Sequence, residues 1–108
     1  MLKVIRKSEA RERRIAENKS AFNYITKDIS PEVSLAVIEG SDFKGEINIT
    51  EDRIYFVLSG SLILNLNGEE IILYPEDSCL ISRGTKYIMS GTFKVITVDQ
   101  PAHGINKK

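Results

Sequence analysis

The sequence contains one cysteine and one histidine among its 108 residues. A lone Cys79 excludes an intramolecular disulfide, and its place in the apolar stretch from Ser78 to Ile81 reads as a small buried hydrophobe. The one histidine, His103, lies in a polar C-terminal stretch. There is no excess of either charge: Lys plus Arg and Asp plus Glu both number 15, so nothing global recommends nucleic acid or an anionic membrane as a partner. Locally, Arg6, Lys7, Arg11, Arg13 and Arg14 crowd the N-terminus with only Glu9 and Glu12 between them, either a basic patch or a solvated face. No apolar run approaches the ~18 residues of a membrane helix. The opening MLKVIRKSEA is too charged for a signal peptide, so a cytoplasmic, reduced protein is expected. The length allows one domain with a single core and no separate catalytic domain.

What is present is strand patterning, clearest from Arg53 to Tyr74. Asn67-Gly68 separates two apolar runs and accepts the positive φ angles of a two-residue type I′ turn. Closure there pairs Leu66 with Glu69, Leu64 with Ile71 and Leu62 with Leu73. Ser59-Gly60 is expected to close a second hairpin, setting Val57 opposite Leu62, Tyr55 opposite Leu64 and Arg53 opposite Leu66. One face then carries Arg53, Tyr55, Val57, Leu62, Leu64, Leu66, Ile71 and Leu73. The other carries Ile54, Phe56, Leu58, Ile63, Ile72 and Tyr74. A meander apolar on both faces must be covered twice. A barrel interior is one cover; a second copy of the chain, or failing that the N-terminal segment, is the other.

The remaining chain reads as short strands between turn residues: 21–26, 33–39, 46–50, 78–82, 86–89 and 93–98. A further short strand is expected over 2–6, and over 9–18 either a brief helix capped by Ser8 or an extended arm, because Ala10, Ile15 and Ala16 make only a thin apolar stripe. About nine strands at this spacing indicate an all-β, antiparallel, jelly-roll-like sandwich or barrel. The expected division is an N-terminal arm with the first strands (1–26), a barrel core (27–100) and a flexible tail (101–108).

The spacing of residues in 33–98 resembles the cupin superfamily, whose barrels carry two motifs. Gly40 is followed at the first motif's intervals by Glu46-x-Asn48, Arg53 and Gly60. The second motif's intervals fall on Glu76, Ser82-x-Gly84 and Tyr87. The resemblance implies a cupin-type β-barrel, with a pocket where Glu46, Asn48, Arg53 and Tyr87 stand in place of the family's three histidines and glutamate. Arginine is no metal ligand, and Asn and Tyr are poor ones, so no metal and no cofactor are expected. A weaker similarity to metal-poor cupin domains associated with ethanolamine utilisation rests on the Tyr near the motif.

Arg53 points inward by the hairpin register, so an inward carboxylate is required, and Glu46 is the expected partner. Tyr55 and Met89 are expected to line the same interior. The set Glu46, Asn48, Arg53, Tyr55, Tyr87 and Met89 then has two readings: a structural ion pair replacing a lost metal site, or a clamp for a small polar or anionic molecule. The functions that follow are a metal-free small-molecule binding domain, such as a sensor or accessory protein, a metal-independent isomerase or epimerase of the sugar-nucleotide type, or a dimerisation module without ligand. No catalytic residue is assignable from the sequence.

Overall fold

The computed structural model describes residues 1–105. After a single 3-10 turn at Lys7–Glu9 come eight strands: β1 (Arg11–Ala16), β2 (Lys19–Ile25), β3 (Ser34–Asn48), β4 (Asp52–Gly60), β5 (Leu62–Leu66), β6 (Glu69–Leu73), β7 (Ser78–Ile81) and β8 (Lys86–Gln100). Every pairing is antiparallel. The order β1-β2-β3-β8-β4-β7 forms one wall, while β5 pairs with both β8 and β6. The result is a cupin-type, jelly-roll-like barrel whose sheet is not closed.

Two long strands, β3 and β8, run through both walls and pair along nearly their whole lengths. Each bends in its middle. On β3 the register shifts between Gly40 and Phe43, where Ser41 and Asp42 bulge opposite Thr92. Asp42 takes φ 50°, its N–H donates to Thr92 Oγ1 at 2.9 Å, and Asn18 Nδ2 donates to the Ser41 and Asp42 carbonyls. On β8 the bend falls at Gly91, φ 114°, where a Cβ would stand 2.7 Å from the Ser61 carbonyl oxygen. The sequence divides these strands at Gly45 and Ser90-Gly91, but the chain continues through both as bent strand.

The Asn67-Gly68 hairpin forms in the expected register, with φ 52° and 86° at the two turn residues. The Ser59-Gly60 hairpin does not form. There β4 runs on into β5 along the same edge of β8, Gly60 beside Phe93 and Ile63 beside Ser90, and Ser61 N–H donates to the Thr92 carbonyl. The expected inward residues nonetheless share the interior: Tyr55, Val57, Leu62, Leu64 and Leu73 are buried, with Leu66 packed at the margin. Ile71 is the exception, 41 % exposed, because β6 is an edge strand with nothing beyond it.

The N-terminal expectations change. Residues 2–6 carry no strand, and the segment 9–18, expected as a brief helix or an extended arm, is mostly β1. Its thin apolar stripe cannot support a helix, whereas ladder bonds to β2 can support a strand. That hairpin lies at the far edge of the wall from β4 and β7, so it leaves Ile54, Leu58 and Leu80 exposed on the outer surface, along with Ile72 and Tyr74 of the other wall. The tail also departs from a frayed segment as far as it is described. Ala102 is fully buried, its N–H donates to the Pro31 carbonyl, and His103 N–H donates to Ser34 Oγ at 2.8 Å. Residues 106–108 of that tail lie outside the described residues. No helix among the described residues is long and apolar enough to cross a membrane.

Candidate functional site

Alternation along β4 and β8 creates the site. Arg53 and Tyr55 project inward from β4, and Thr97 and Asp99 project inward from the C-terminal half of β8, because Arg53 stands opposite Asp99 and Tyr55 opposite Thr97. Tyr87 and Met89 enter from the N-terminal half of β8. All six are buried.

Arg53 is the hub. Its Nε–H donates to Asp99 Oδ1 at 2.7 Å and Nη2 to Asp99 Oδ2 at 2.9 Å, a bidentate pair. Nη2 also lies 3.4 Å from Glu51 Oε1, and Nη1 reaches the hydroxyls of Tyr55 and Tyr87 at 3.5 and 3.4 Å. The two tyrosine hydroxyls share a hydrogen bond of 2.6 Å, with Met89 Sδ 3.8 Å from Tyr55. At the mouth, His103 Nδ1 lies 3.0 Å from Glu51 Oε1 and 3.4 Å from Asp99 Oδ2. Facing two carboxylates, that nitrogen carries the ring proton.

Burial governs the electrostatics. It pushes the Tyr55 and Tyr87 phenols above their ordinary range, in Tyr55 with the help of its neighbour Tyr87. Burial opposes ionisation of Asp99 too, yet hydrogen bonds from His103 and Arg53 hold its carboxyl below the usual value. Burial is the largest influence and opposes the Arg53 charge, but the Asp99 hydrogen bond and charge together with the two tyrosines outweigh it and keep the guanidinium protonated. The tyrosines therefore act as neutral hydrogen-bond donors, and the ions are Arg53 and Asp99.

The expected partner of Arg53 was Glu46; the structure substitutes Asp99 and Glu51. The one-residue bulge at Ser41-Asp42 explains the change. It reverses the alternation of β3, so Ile47, not Glu46 or Asn48, shares a face with Tyr87. Glu46 and Asn48 are exposed and border the cavity only at its rim. The structure thus brings together four of the six expected residues, Arg53, Tyr55, Tyr87 and Met89, and separates two. The missed residues Glu51 and Asp99 carried a signal, since each extends the inward alternation of its strand by one step. His103 carried none.

Glu46, Asn48, Arg53 and Tyr87, the four positions that the sequence resemblance aligned with metal ligands, do not fit a metal. Glu46 and Asn48 face away, Arg53 is a cation already held by two acids, and Tyr87 is a buried, neutral phenol. A different set, Glu51, Asp99 and His103, brings one ligand atom each within 4.8 Å of the others. Arg53 Nη2 sits against all three residues, 3.4 Å from Glu51 Oε1, 2.9 Å from Asp99 Oδ2 and 3.5 Å from His103 Nδ1. The guanidinium stands where a cation would.

Outward from this hub the concave wall opens into a cavity of about 610 Å³ reaching Arg13, Lys19, Ala21, Ala36 and Ile38. Lys19 is 5 % exposed, and its ammonium lies 4.6 Å from the centre of the Phe43 ring. Burial, with Arg53 and Arg13 nearby, lowers its pKa to about 8.

No protein-family model matches the chain. No curated protein sequence matches it either. Solved structures do. KdgF from Halomonas sp. aligns at a TM-score of 0.82 and 15% identity, covering 96% of this chain and 97% of its own. The EutQ protein of Clostridium difficile aligns at 0.77 and 18% identity over 97% of this chain and 79% of that one. An RmlC-like cupin from Shewanella frigidimarina NCIMB 400 gives 0.76 and 14% over 90% and 88%. At such identities the similarity concerns the backbone, and with the topology above it establishes that this chain has the cupin superfamily fold.

Proposed function

We propose that the chain is a small-molecule binding module that takes a polar, anionic molecule into the concave cavity beside Arg53. The observation that carries this reading is Lys19: a buried ammonium on the cavity wall that faces an aromatic ring and two guanidiniums, with no acid paired to it among the described residues. A desolvated cation without a counter-ion is costly, and an anion in the cavity removes the cost. Arg53, satisfied by Asp99 and Glu51, serves as the rigid floor, while Tyr55 and Tyr87 lie behind it and do not line the cavity. No metal takes part, because the cation position is taken by Nη2.

A thermal-shift screen of small carboxylic and sugar acids tests the reading. A ligand at a hundred times its dissociation constant adds about 2.7 kcal/mol of stability. Stabilisation by acids that disappears in Lys19→Met is expected, and a screen of such acids without any shift would remove the proposal.

A metal-independent enzyme is the second reading, and His103 favours it. A histidine whose Nδ1–H faces Glu51 and Asp99, and which is itself partly exposed at the cavity mouth, has the arrangement of an acid–base pair. Turnover lost in His103→Gln, with ligand-induced stabilisation retained, would favour the enzyme over the binding module.

We also propose that the bare outer surface around Ile54, Leu58 and Leu80 meets a second copy of the chain. The chain's own N-terminal hairpin is at the opposite edge and does not cover it.

A further inference from the structure

Lys19 has features that simple charge recognition does not need. Its amine is nearly enclosed, while Ala21 and Ala36 on the adjoining wall leave open space beside it. Guanidiniums approach it from two strands, Arg13 on β1 and Arg53 on β4, and Phe43 from β3 covers it. Arg13 faces the cavity because it stands opposite Ala21, and it pairs with no acid among the described residues.

Resting on the anion-binding reading above, we infer that Lys19 is a covalent anchor, whose ε-amine condenses with the carbonyl carbon of a small aldehyde or ketone that also bears a carboxylate. The carboxylate faces Arg13. The neutral amine adds to the carbonyl carbon, forming the C–N bond, and the carbonyl oxygen takes up a proton to give a carbinolamine. Loss of that oxygen as water leaves the imine; no oxidant or reductant is consumed. Burial and the two like charges that lower the lysine to about 8 from 10.5 also supply the reactive form. At pH 7 the neutral fraction is raised about 300-fold over that of an ordinary lysine.

The test uses the full chain with glyoxylate and sodium cyanoborohydride at pH 7, which reduces an imine to a stable carboxymethyl-lysine. Peptide mapping by mass spectrometry is expected to find one adduct per chain, at Lys19, formed at least about tenfold faster than at exposed lysines such as Lys44 and Lys86. Lys19→Arg, which keeps the charge but has no condensing amine, loses that adduct. Mapping on the unaltered chain decides the matter even if the variant is poorly folded. Labelling spread evenly over surface lysines, or none, overturns the inference. Malonate, a dianion without a carbonyl, separates the two readings: stabilisation by malonate with no adduct from glyoxylate leaves the binding module and removes the covalent step. No stabilisation by either acid, and no adduct, removes both.

Discussion

Arg53 is buried against two acids, so its contribution cannot be read as a simple sum of contacts. Replacing one partner of such a set strands the others, and Arg53→Met is expected to cost about 3–5 kcal/mol in urea denaturation at pH 7. Replacing Arg53 and Asp99 together with Met and Leu should recover much of that, because no lone buried charge of that pair remains. Asp99 adds a pH dependence whose sign follows from its lowered carboxyl. The folded state holds that proton less tightly than the unfolded chain, so the stabilisation is present above the unfolded value near 3.8 and fades as the pH falls below it. Asp99→Asn should flatten this acid limb. Lys19 works in the opposite direction. Its folded pKa lies below its unfolded one, so stability should rise between pH 8 and pH 10.5, by no more than about 3 kcal/mol, and Lys19→Met should abolish that rise. At this scale the sequence was half legible. Arg53 and Tyr55 were visible from alternation, and Tyr87 and Met89 from the motif spacing extended by two residues, but the acids were misassigned because a single bulged residue on another strand decides which side of the sheet Glu46 occupies.

Elements were more legible than their connections. Burial fixes which residues of a strand face inward, and so Arg53, Tyr55, Val57, Leu62 and Leu64 could be placed without knowing their partners. The connection at Ser59-Gly60 could not be read this way. A two-residue hairpin, and a continuous strand with the one-residue register shift between Val57 and Ser59, give the same inward set, so the pattern did not distinguish them. A Cβ on Gly60 would stand 2.1 Å from the Thr92 carbonyl oxygen, and φ there is +75°. Gly60→Ala is therefore expected to destabilise the chain by a few kcal/mol, about 1–3 from the backbone conformation alone. An exposed hairpin turn would have tolerated the same change more easily. Deleting Asp42 tests the bulge on β3. With the extra residue gone, strict alternation from Gly40 still turns Phe43, Gly45 and Ile47 inward, so the chain should fold with the same interior and lose only the stability of the bulge and its Asp42 to Thr92 hydrogen bond.

For the molecule as a whole, the open sheet leaves apolar surface on its outer side, and sedimentation at micromolar concentration is expected to give a dimer. Leu80, 70 % exposed on β7, is the position to probe: Leu80→Arg should yield a monomer of unchanged fold if the second copy sits there. The fold class itself was legible from the spacing of strands and turns, while the packed C-terminal segment was not, because Ala102 and His103 are held by backbone contacts to Pro31 and Ser34 that leave no periodic trace. That segment has a consequence for how the barrel could change. Once His103 is docked beside Glu51 and Asp99, two carboxylates and an imidazole surround a single nitrogen of Arg53. Shortening that one side chain, as in Arg53→Ala, would exchange an organic cation for an empty coordination sphere. The variant, unlike the parent chain, should regain stability with added zinc or manganese. On that outcome a single substitution would separate this chain from a metalloprotein built on Glu51, Asp99 and His103.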